Sequence, residues 1–399
     1  MEPTATPVPQ SPRRTGGLPP RPAGLATRLE LGMANAPDAV SSMTATAPFG
    51  YRYQYLAGGP TDGWTTWEGG ALVPQYIRES AAVGMVPVFS YYVLLQSSLG
   101  SGSEAERLYR ALGDRAIMRD YFMRLRTFFE QANVAGGAVV LHVEPDFWAH
   151  MQQRGSPSDV RASVESTGLP ELKGLPDSVA GFALAVKVLR DRYAPNVLLG
   201  YHLNSWGNGD DFLYSDPAGA AVDAASEDAL QFYLGLGTAF DLVFAEFSDR
   251  DAGFKAVQDG DRGASWFEAA DFQRHARFIS RFVHGSGLRA VLWQIPYGNT
   301  RMRALNNTWN HYQDNRVEWL LDDGPREHLK TYVEAGVIAL LFGRGADGAT
   351  DASDASGDGV TNPAPVSGNI AVSLSADDDG GLFRSLASAY YLAGPLTLP

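Results

Sequence analysis

The stretch Ala138-Val139-Val140-Leu141-His142-Val143-Glu144-Pro145-Asp146 opens as a buried strand and ends as something else. Val139, Leu141 and Val143 alternate with Val140, His142 and Glu144, and Asp146 follows Pro145. A period of two places the first set on one face of a strand and the second on the other. The apolar face has to meet a layer of helices, so the face with three ionisable groups points toward a sheltered opening. Eight runs of this kind occur, at 28–35, 49–56, 85–94, 138–146, 196–206, 240–248, 288–297 and 337–343. Most are rich in Val, Leu, Phe and Tyr, as strands covered on both faces are. Helical periodicity lies between most of them, at 71–83, 116–132, 177–193, 269–284 and 315–321, and a last helix is expected over 381–392. Eight strands alternating with helices predict an α/β fold, a closed (β/α)8 TIM barrel. No Gly-x-Gly-x-x-Gly or phosphate loop follows the first run, which disfavours an open doubly wound sheet.

The 399 residues include 45% hydrophobic side chains, enough for one barrel over 27–399. Residues 1–26 carry seven prolines and read as a Pro/Thr-rich linker or tail. The stretch 343–369, rich in Gly, Ala, Ser and Asp, reads as a long loop. A net charge of −13 disfavours nucleic acid and anionic membranes as partners. The absence of cysteine excludes thiol nucleophiles, thiolate metal sites and disulfides. No run is long and apolar enough to span a membrane, and residues 1–22 have no apolar centre of a signal peptide, although a mature domain would look the same. A monomer acting outside the cell on a carbohydrate, without a cofactor, is the expectation.

In a barrel of this type the chemistry belongs at the carboxyl ends of the strands. His142, Glu144 and Asp146 stand there on the fourth run, and Glu246 and Asp249 on the sixth. The two strand ends are on the order of 10 Å apart, so a carboxyl from each can bracket a bond. Glycoside hydrolysis needs such a pair, one acid to protonate the leaving oxygen and one carboxylate to attack or to activate water. Glu144, set among Pro145, Phe147 and Trp148, is the expected acid, because apolar burial keeps a carboxyl protonated. Glu246 is then the nucleophile or base, with Asp146 and Asp249 as alternates. Their separation would distinguish retention, at roughly 5.5 Å, from inversion, at roughly 6.5–9.5 Å.

His202 and Asn204 on the fifth run and Gln294 on the seventh are expected to bind substrate, as are Asn299 and Asn307 from the loop that also holds Asn306, His311 and Asn315. Trp64, Trp67, Trp148, Trp206 and Trp309 fall just after strands, and tyrosines including Tyr53, Tyr91 and Tyr92 crowd the second and third runs. Rings beside hydrogen-bonding groups suit the apolar faces and polar rims of sugars. Trp148, Trp206 and one of Trp64 and Trp67 are expected to line a single groove. A second reading takes His142, Glu144, Asp146 and His202 as ligands of Zn or Mn in a metal-dependent hydrolase. A third is a barrel that binds polysaccharide without cleaving it. Asp347, Asp351, Asp354 and Asp358 could hold calcium, though not with the spacing of an EF-hand.

Four stretches carry a resemblance: Tyr51-Arg52-Tyr53-Gln54-Tyr55-Leu56-Ala57-Gly58-Gly59, Leu141-His142-Val143-Glu144-Pro145-Asp146-Phe147-Trp148, Phe247-Ser248-Asp249-Arg250-Asp251-Ala252-Gly253-Phe254 and Tyr312-Gln313-Asp314-Asn315-Arg316-Val317-Glu318. Through them the chain resembles a group of bacterial (β/α)8-barrel proteins similar to secreted glycoside hydrolases, over roughly residues 28 to 395. The resemblance implies a carbohydrate-active barrel. Barrels resembling alpha-galactosidases also place two carboxylates on strands four and six, which here implies Glu144 or Asp146 with Glu246 or Asp249. Those barrels use two aspartates. The larger group of retaining barrel glycosidases has its second glutamate on strand seven, where this chain has Gln294.

Overall fold

Helix 115–132 shows how the outer layer is made. Its N-cap Asp114 accepts hydrogen bonds from the backbone of Ala116 at 2.8 Å and Ile117 at 3.1 Å, satisfying donors that a helix start leaves free. Met118, Tyr121, Phe122, Leu125, Phe128 and Phe129 then recur every three to four residues and are all buried. They meet outward-facing rings of the neighbouring strand, with Phe89 and Phe128 centroids 5.3 Å apart. The expected helices at 71–83, 177–193, 269–284, 315–321 and 381–392 appear as Leu72–Ala82, Val179–Tyr193, Ala269–Ser286, Arg316–Leu321 and Leu382–Leu392. Further helices, among them Val40–Thr46, Glu104–Gly113, Phe147–Arg154, Gly219–Gly235 and Glu327–Glu334, lie where no periodic stretch was singled out.

The structure, a computed structural model, describes residues 17–399 apart from 98–99, 134–136, 302–306, 356, 358 and 360–376. Its strands are β1 (Glu30–Ala34), β2 (Tyr51–Ala57), β3 (Val86–Tyr92), β4 (Val139–Val143), β5 (Val197–Leu203), β6 (Leu242–Glu246), β7 (Arg289–Ile295) and β8 (Val337–Phe342). Each pairs in parallel with the next, and β8 closes on β1 with Leu31 opposite Leu340. The expected (β/α)8 barrel is therefore the observed one, and each of the eight runs contains one strand.

Inside the barrel, large rings are accommodated by residues without side chains. A Cβ on Gly200 would sit 2.4 Å from the Phe244 ring, and one on Gly343 would sit 1.8 Å from the Tyr53 hydroxyl. These gaps let Tyr53, His142, His202, Phe244 and Trp293 fill the lumen, the His142 and Phe244 rings lying flat together with centroids 4.1 Å apart. The lumen is a packed core, and the opening above it begins at the strand ends.

The amino-terminal ends of the strands are closed by the last residues of the chain. Leu29 N donates to Leu396 O at 2.7 Å, and Leu398 N to Thr27 O at 2.9 Å. Of the expected tail, residues 1–16 lie outside the described residues. Residues 17–26 do not trail free: Pro19 and Leu25 are buried, and Arg21 Nη1 donates to the carbonyls of Leu25 at 2.7 Å and Ala26 at 2.8 Å.

The close approach of Gly200 to Phe244 yields a stability prediction. Gly200→Ala should destabilise the fold by about 1–3 kcal/mol through overpacking. Phe244→Leu in the same chain should recover part of that loss, read by denaturant titration. Additive effects of the two changes would mean that the contact does not limit the packing.

Candidate active site

A cavity of about 480 Å³ opens at the carboxyl ends of the strands. Its acidic residues come mainly from two strand ends, Asp146 after β4 and Glu246 and Asp249 at and beyond β6, with Glu104 from the start of the helix Glu104–Gly113 and Asp211 from the loop after β5. Arg250, Lys255 and His150 are also on its wall. The aromatic surface is supplied by Tyr55, Tyr92, Trp206, Tyr214 and Trp293.

Glu144 is not there. Its backbone takes the left-handed conformation, with φ of 44°, and this breaks the alternation on which its inward placement was predicted. The carboxyl turns into the wall and accepts backbone hydrogen bonds from Val93 at 3.1 Å and from Leu94 at 3.1 and 3.3 Å. Two N–H groups at the end of β3, which would otherwise be buried without partners, are satisfied in this way. Asp146, two residues on, reaches the cavity instead. The expectation that burial would keep a β4 carboxyl protonated does describe Glu144, whose pKa is pushed up to about 8 by burial, against those two backbone donors. It is not among the residues that line the cavity.

The cavity carboxyls differ from one another. Burial, then the charges of Asp249 and Asp146, hold Glu246 well above the usual carboxylate range, while Lys255 works the other way. Burial and the charge of Glu104, followed by that of Asp249, push Asp146 up to about 6. Asp249 is ion-paired with Lys255 at 2.9 Å and also with Arg250.

Trp206 lines the cavity wall, its ring edge-on to His150 at 4.8 Å between centroids. Gln294 lines it too and donates to the Tyr55 hydroxyl. His202 is buried in the floor, and Asn204 is buried with neither amide atom hydrogen-bonded among the described residues. The other proposed binding residues are elsewhere. Tyr53 is sealed in the lumen beneath the floor. Tyr91 faces outward against Tyr121, 5.5 Å between centroids, because the period of two sends Ser90 and Tyr92 inward and Tyr91 out. Trp148 is buried between barrel and helices on Phe182, Tyr201 and Phe240, its Nε1 donating to Val143 O at 2.8 Å. Trp64 is buried on Tyr91 and Phe128. Trp67 donates to Asp62 O at 3.1 Å, and Trp309 is exposed beside Phe254. The single groove of Trp148, Trp206 and Trp64 or Trp67 does not form, since large rings following strands served the outer packing.

Asn299 and Asn307 organise their own loop. Asn299 Nδ2 donates to Asp379 O at 2.7 Å, and Asn307 Oδ1 accepts from Gln313 N at 3.1 Å. Asn306 lies outside the described residues. The metal set His142, Glu144, Asp146 and His202 does not assemble: Glu144 turns away, and the two imidazoles bond each other at 2.8 Å. Among the described residues no group of three or more His, Asp or Glu is placed to hold a metal ion. In the Asp-rich loop, Asp351 caps a turn through Ser353 N at 3.0 Å and Asp354 accepts from Gly359 N at 3.0 Å, while Asp358 lies outside the described residues.

Trp293 is the main residue the sequence reasoning passed over. The backbone of Gln294 has φ of 53° and the β7–β8 register shifts between Leu292 and Ile295, so two successive residues both reach the cavity. Its parity with Val291 was the available signal. Asp211 sits on a loop, Lys255 in a short helical turn after β6, and Glu104 opens the helix Glu104–Gly113, places to which no strand periodicity points.

No protein-family model and no curated protein matches the chain. Among solved structures it is similar to a GH26 beta-mannanase from Bacteroides ovatus, with 12% identity, TM-score 0.46, and 80% of this chain and 81% of that one covered. It is also similar to the GH53 catalytic domain of Ignisphaera aggregans (9%, 0.39, 82% and 87%). A third is a D-allulose 3-epimerase from Methylomonas sp. (12%, 0.41, 93% and 99%). Resemblance this distant leaves the chemistry to the residues of this chain.

Glu144 gives a pH-dependent prediction. A carboxyl that titrates at about 8 when folded and at about 4.3 when unfolded binds more protons in the folded state between those values. Its stabilising contribution is full at low pH and is lost as pH rises through the folded value. Glu144→Gln removes that loss. Its stability relative to the unaltered protein should rise by about 4 kcal/mol between about pH 5 and about pH 9, in urea titrations. A pH-independent difference would show that the carboxyl is ionised in the fold.

Proposed function

We propose that the protein is a glycoside hydrolase in which Glu246 is the acid and Asp146 the nucleophile or water-activating base. One observation carries this reading: carboxyls from the ends of β4 and β6 open into the same cavity, whose mainly polar wall also carries aromatic rings. The volume is within the usual range for a ligand site. Flat rings such as Trp206 and Tyr92 offer surfaces for sugar C–H faces, and Gln294, Ser205 and Asn204 offer hydrogen-bonding groups nearby.

The two carboxyls differ in the sense the chemistry needs. Glu246, held protonated by burial and by the charges of Asp249 and Asp146, gives its proton to the leaving glycosidic oxygen. The carboxylate that remains is favoured by Lys255, which already opposes the upward shift. Asp146, ionised above about 6, attacks the anomeric carbon or takes a proton from water. Asp249, ion-paired with Lys255 at 2.9 Å, stays as a charge that raises the acid. The same proposal has the enzyme act as a secreted monomer on a poly- or oligosaccharide; a dimer mass by light scattering would overturn the monomeric part.

The test is hydrolysis of a panel of defined glycans. Asp146→Asn and Glu246→Gln should each lower kcat by at least ~10²-fold, whereas Glu144→Gln should stay within a few-fold of the unaltered enzyme. The dependence of kcat/KM on pH should rise through about 6 as Asp146 ionises and fall at higher pH as Glu246 loses its proton. Tight binding of a glycan with no product would instead identify a non-catalytic polysaccharide-binding barrel. Loss of turnover only in Glu144→Gln would reverse the assignment on β4.

A further inference from the structure

Four successive strands each send one polar side chain into the barrel, and the four form a line. Ser90 Oγ on β3 is 3.3 Å from His142 Nδ1 on β4. His142 Nε2 is 2.8 Å from His202 Nδ1 on β5. His202 Nε2 is 4.0 Å from Glu246 Oε2 at the end of β6. The strand register makes the line climb. Ser90 is paired directly with His142, but His202 stands two residues beyond Gly200, the partner of His142. Glu246 stands two residues beyond Phe244, the partner of His202. The line thus starts in the closed lumen and ends at the cavity.

Both rings are fully buried, His142 stacked on Phe244 and both rings edge-on to Trp293. A neutral imidazole carries one proton, so the bond between the rings allows two arrangements. In the first, both protons are on Nε2. Ser90 then donates into His142, His142 donates into His202, and His202 presents an N–H to Glu246. In the second, both are on Nδ1. Every donor and acceptor is reversed, and His202 presents a bare nitrogen to Glu246. His202 Nε2 has no other hydrogen-bond partner among the described residues, so Glu246 is the group that can select between them. The remaining gap requires a movement of about 1 Å in the Glu246 side chain, which stands at the open end of the line.

We propose that Ser90, His142 and His202 form a positioning element for Glu246, and that the ionisation of Glu246 selects the tautomer of both buried rings. The ionised carboxylate takes the N–H of the first arrangement. The protonated carboxyl donates into the bare nitrogen of the second. A residue that alternates between acid and carboxylate is thereby held in both states without a charge entering the lumen. Burial opposes that charge, pushing His202 down to about 3 and, with the neighbouring His202, holding His142 well below its ordinary range. Asp146 from the end of β4, Asp211 from the loop after β5, and Asp249 with Lys255 and Arg250 from beyond β6 set where Glu246 titrates. Tyr55 and Gln294 face it from β2 and β7 without a charge. The role in turnover rests on Glu246 being the acid of the proposed hydrolase, but the tautomer coupling does not require a substrate.

The measurement is histidine-ring ¹⁵N NMR on the intact protein across pH, with the Glu246 carboxyl followed by ¹³C. The two rings should remain neutral and exchange tautomers together, at the midpoint of Glu246. In Glu246→Gln the tautomers should no longer change with pH. Ser90→Ala removes the partner of His142 Nδ1 in both arrangements; a buried N–H without a partner is the costlier orphan, so the second arrangement is disfavoured more and the Glu246 midpoint should fall by up to about one pH unit. Tautomers that stay constant while Glu246 titrates, formation of imidazolium on either ring, or an unmoved midpoint in Ser90→Ala would each overturn the proposal. A chain that hydrolyses no glycan but shows the coupled tautomer change would refute the hydrolase reading alone.

Discussion

The contact on which the site depends is the flat stacking of His142 on Phe244, with centroids 4.1 Å apart. It exists because Gly200, on the strand between them, has no side chain. A ring fills the space that a Cβ would occupy, and this brings β4 and β6 into communication across β5. Trp293 closes the remaining gap from the far side, 4.7 Å from His142 between centroids. The lumen is therefore both a hydrophobic core and the underside of the cavity. Polar groups above it are supported by packing that tolerates little displacement.

Two residues in the left-handed backbone region shape the upper surface. Such a conformation costs about 1–2 kcal/mol for a residue with a side chain. At Glu144 that cost is offset by charge-capable hydrogen bonds to two backbone donors; at Gln294 the outcome is the joint exposure of Trp293 and Gln294 to the cavity. Both occur where a strand stops. The strand ladder no longer dictates the backbone there, and side-chain to backbone bonds can decide it.

This explains what could be read from the amino acids and what could not. The eight strands and six of the helices follow from periodicity, since burial on a regular element leaves a regular pattern. Glu246 was assigned to the cavity correctly because it lies within β6, still in step with Leu242 and Phe244. Glu144 was misplaced because it lies one residue past β4, beyond the reach of the period-of-two rule. Trp148 and Trp64 were misplaced for a different reason: a ring after a strand can turn toward the helices as readily as toward the opening. Lys255 and Asp211, both outside the strands, acquire meaning only through the partners that the fold brings to them.

The hydrogen bonds joining Leu29 to Leu396 and Thr27 to Leu398 have a consequence for architecture beyond the barrel. They hold residues 27–29 beside residues 396–398, on the face where strands begin. Topologically the domain is close to a loop that has been cut at its base. Both paired segments stand at the end of the barrel opposite the cavity, with the height of the strands between them and its mouth. A change made at this seam therefore reaches the cavity through the barrel that lies between them.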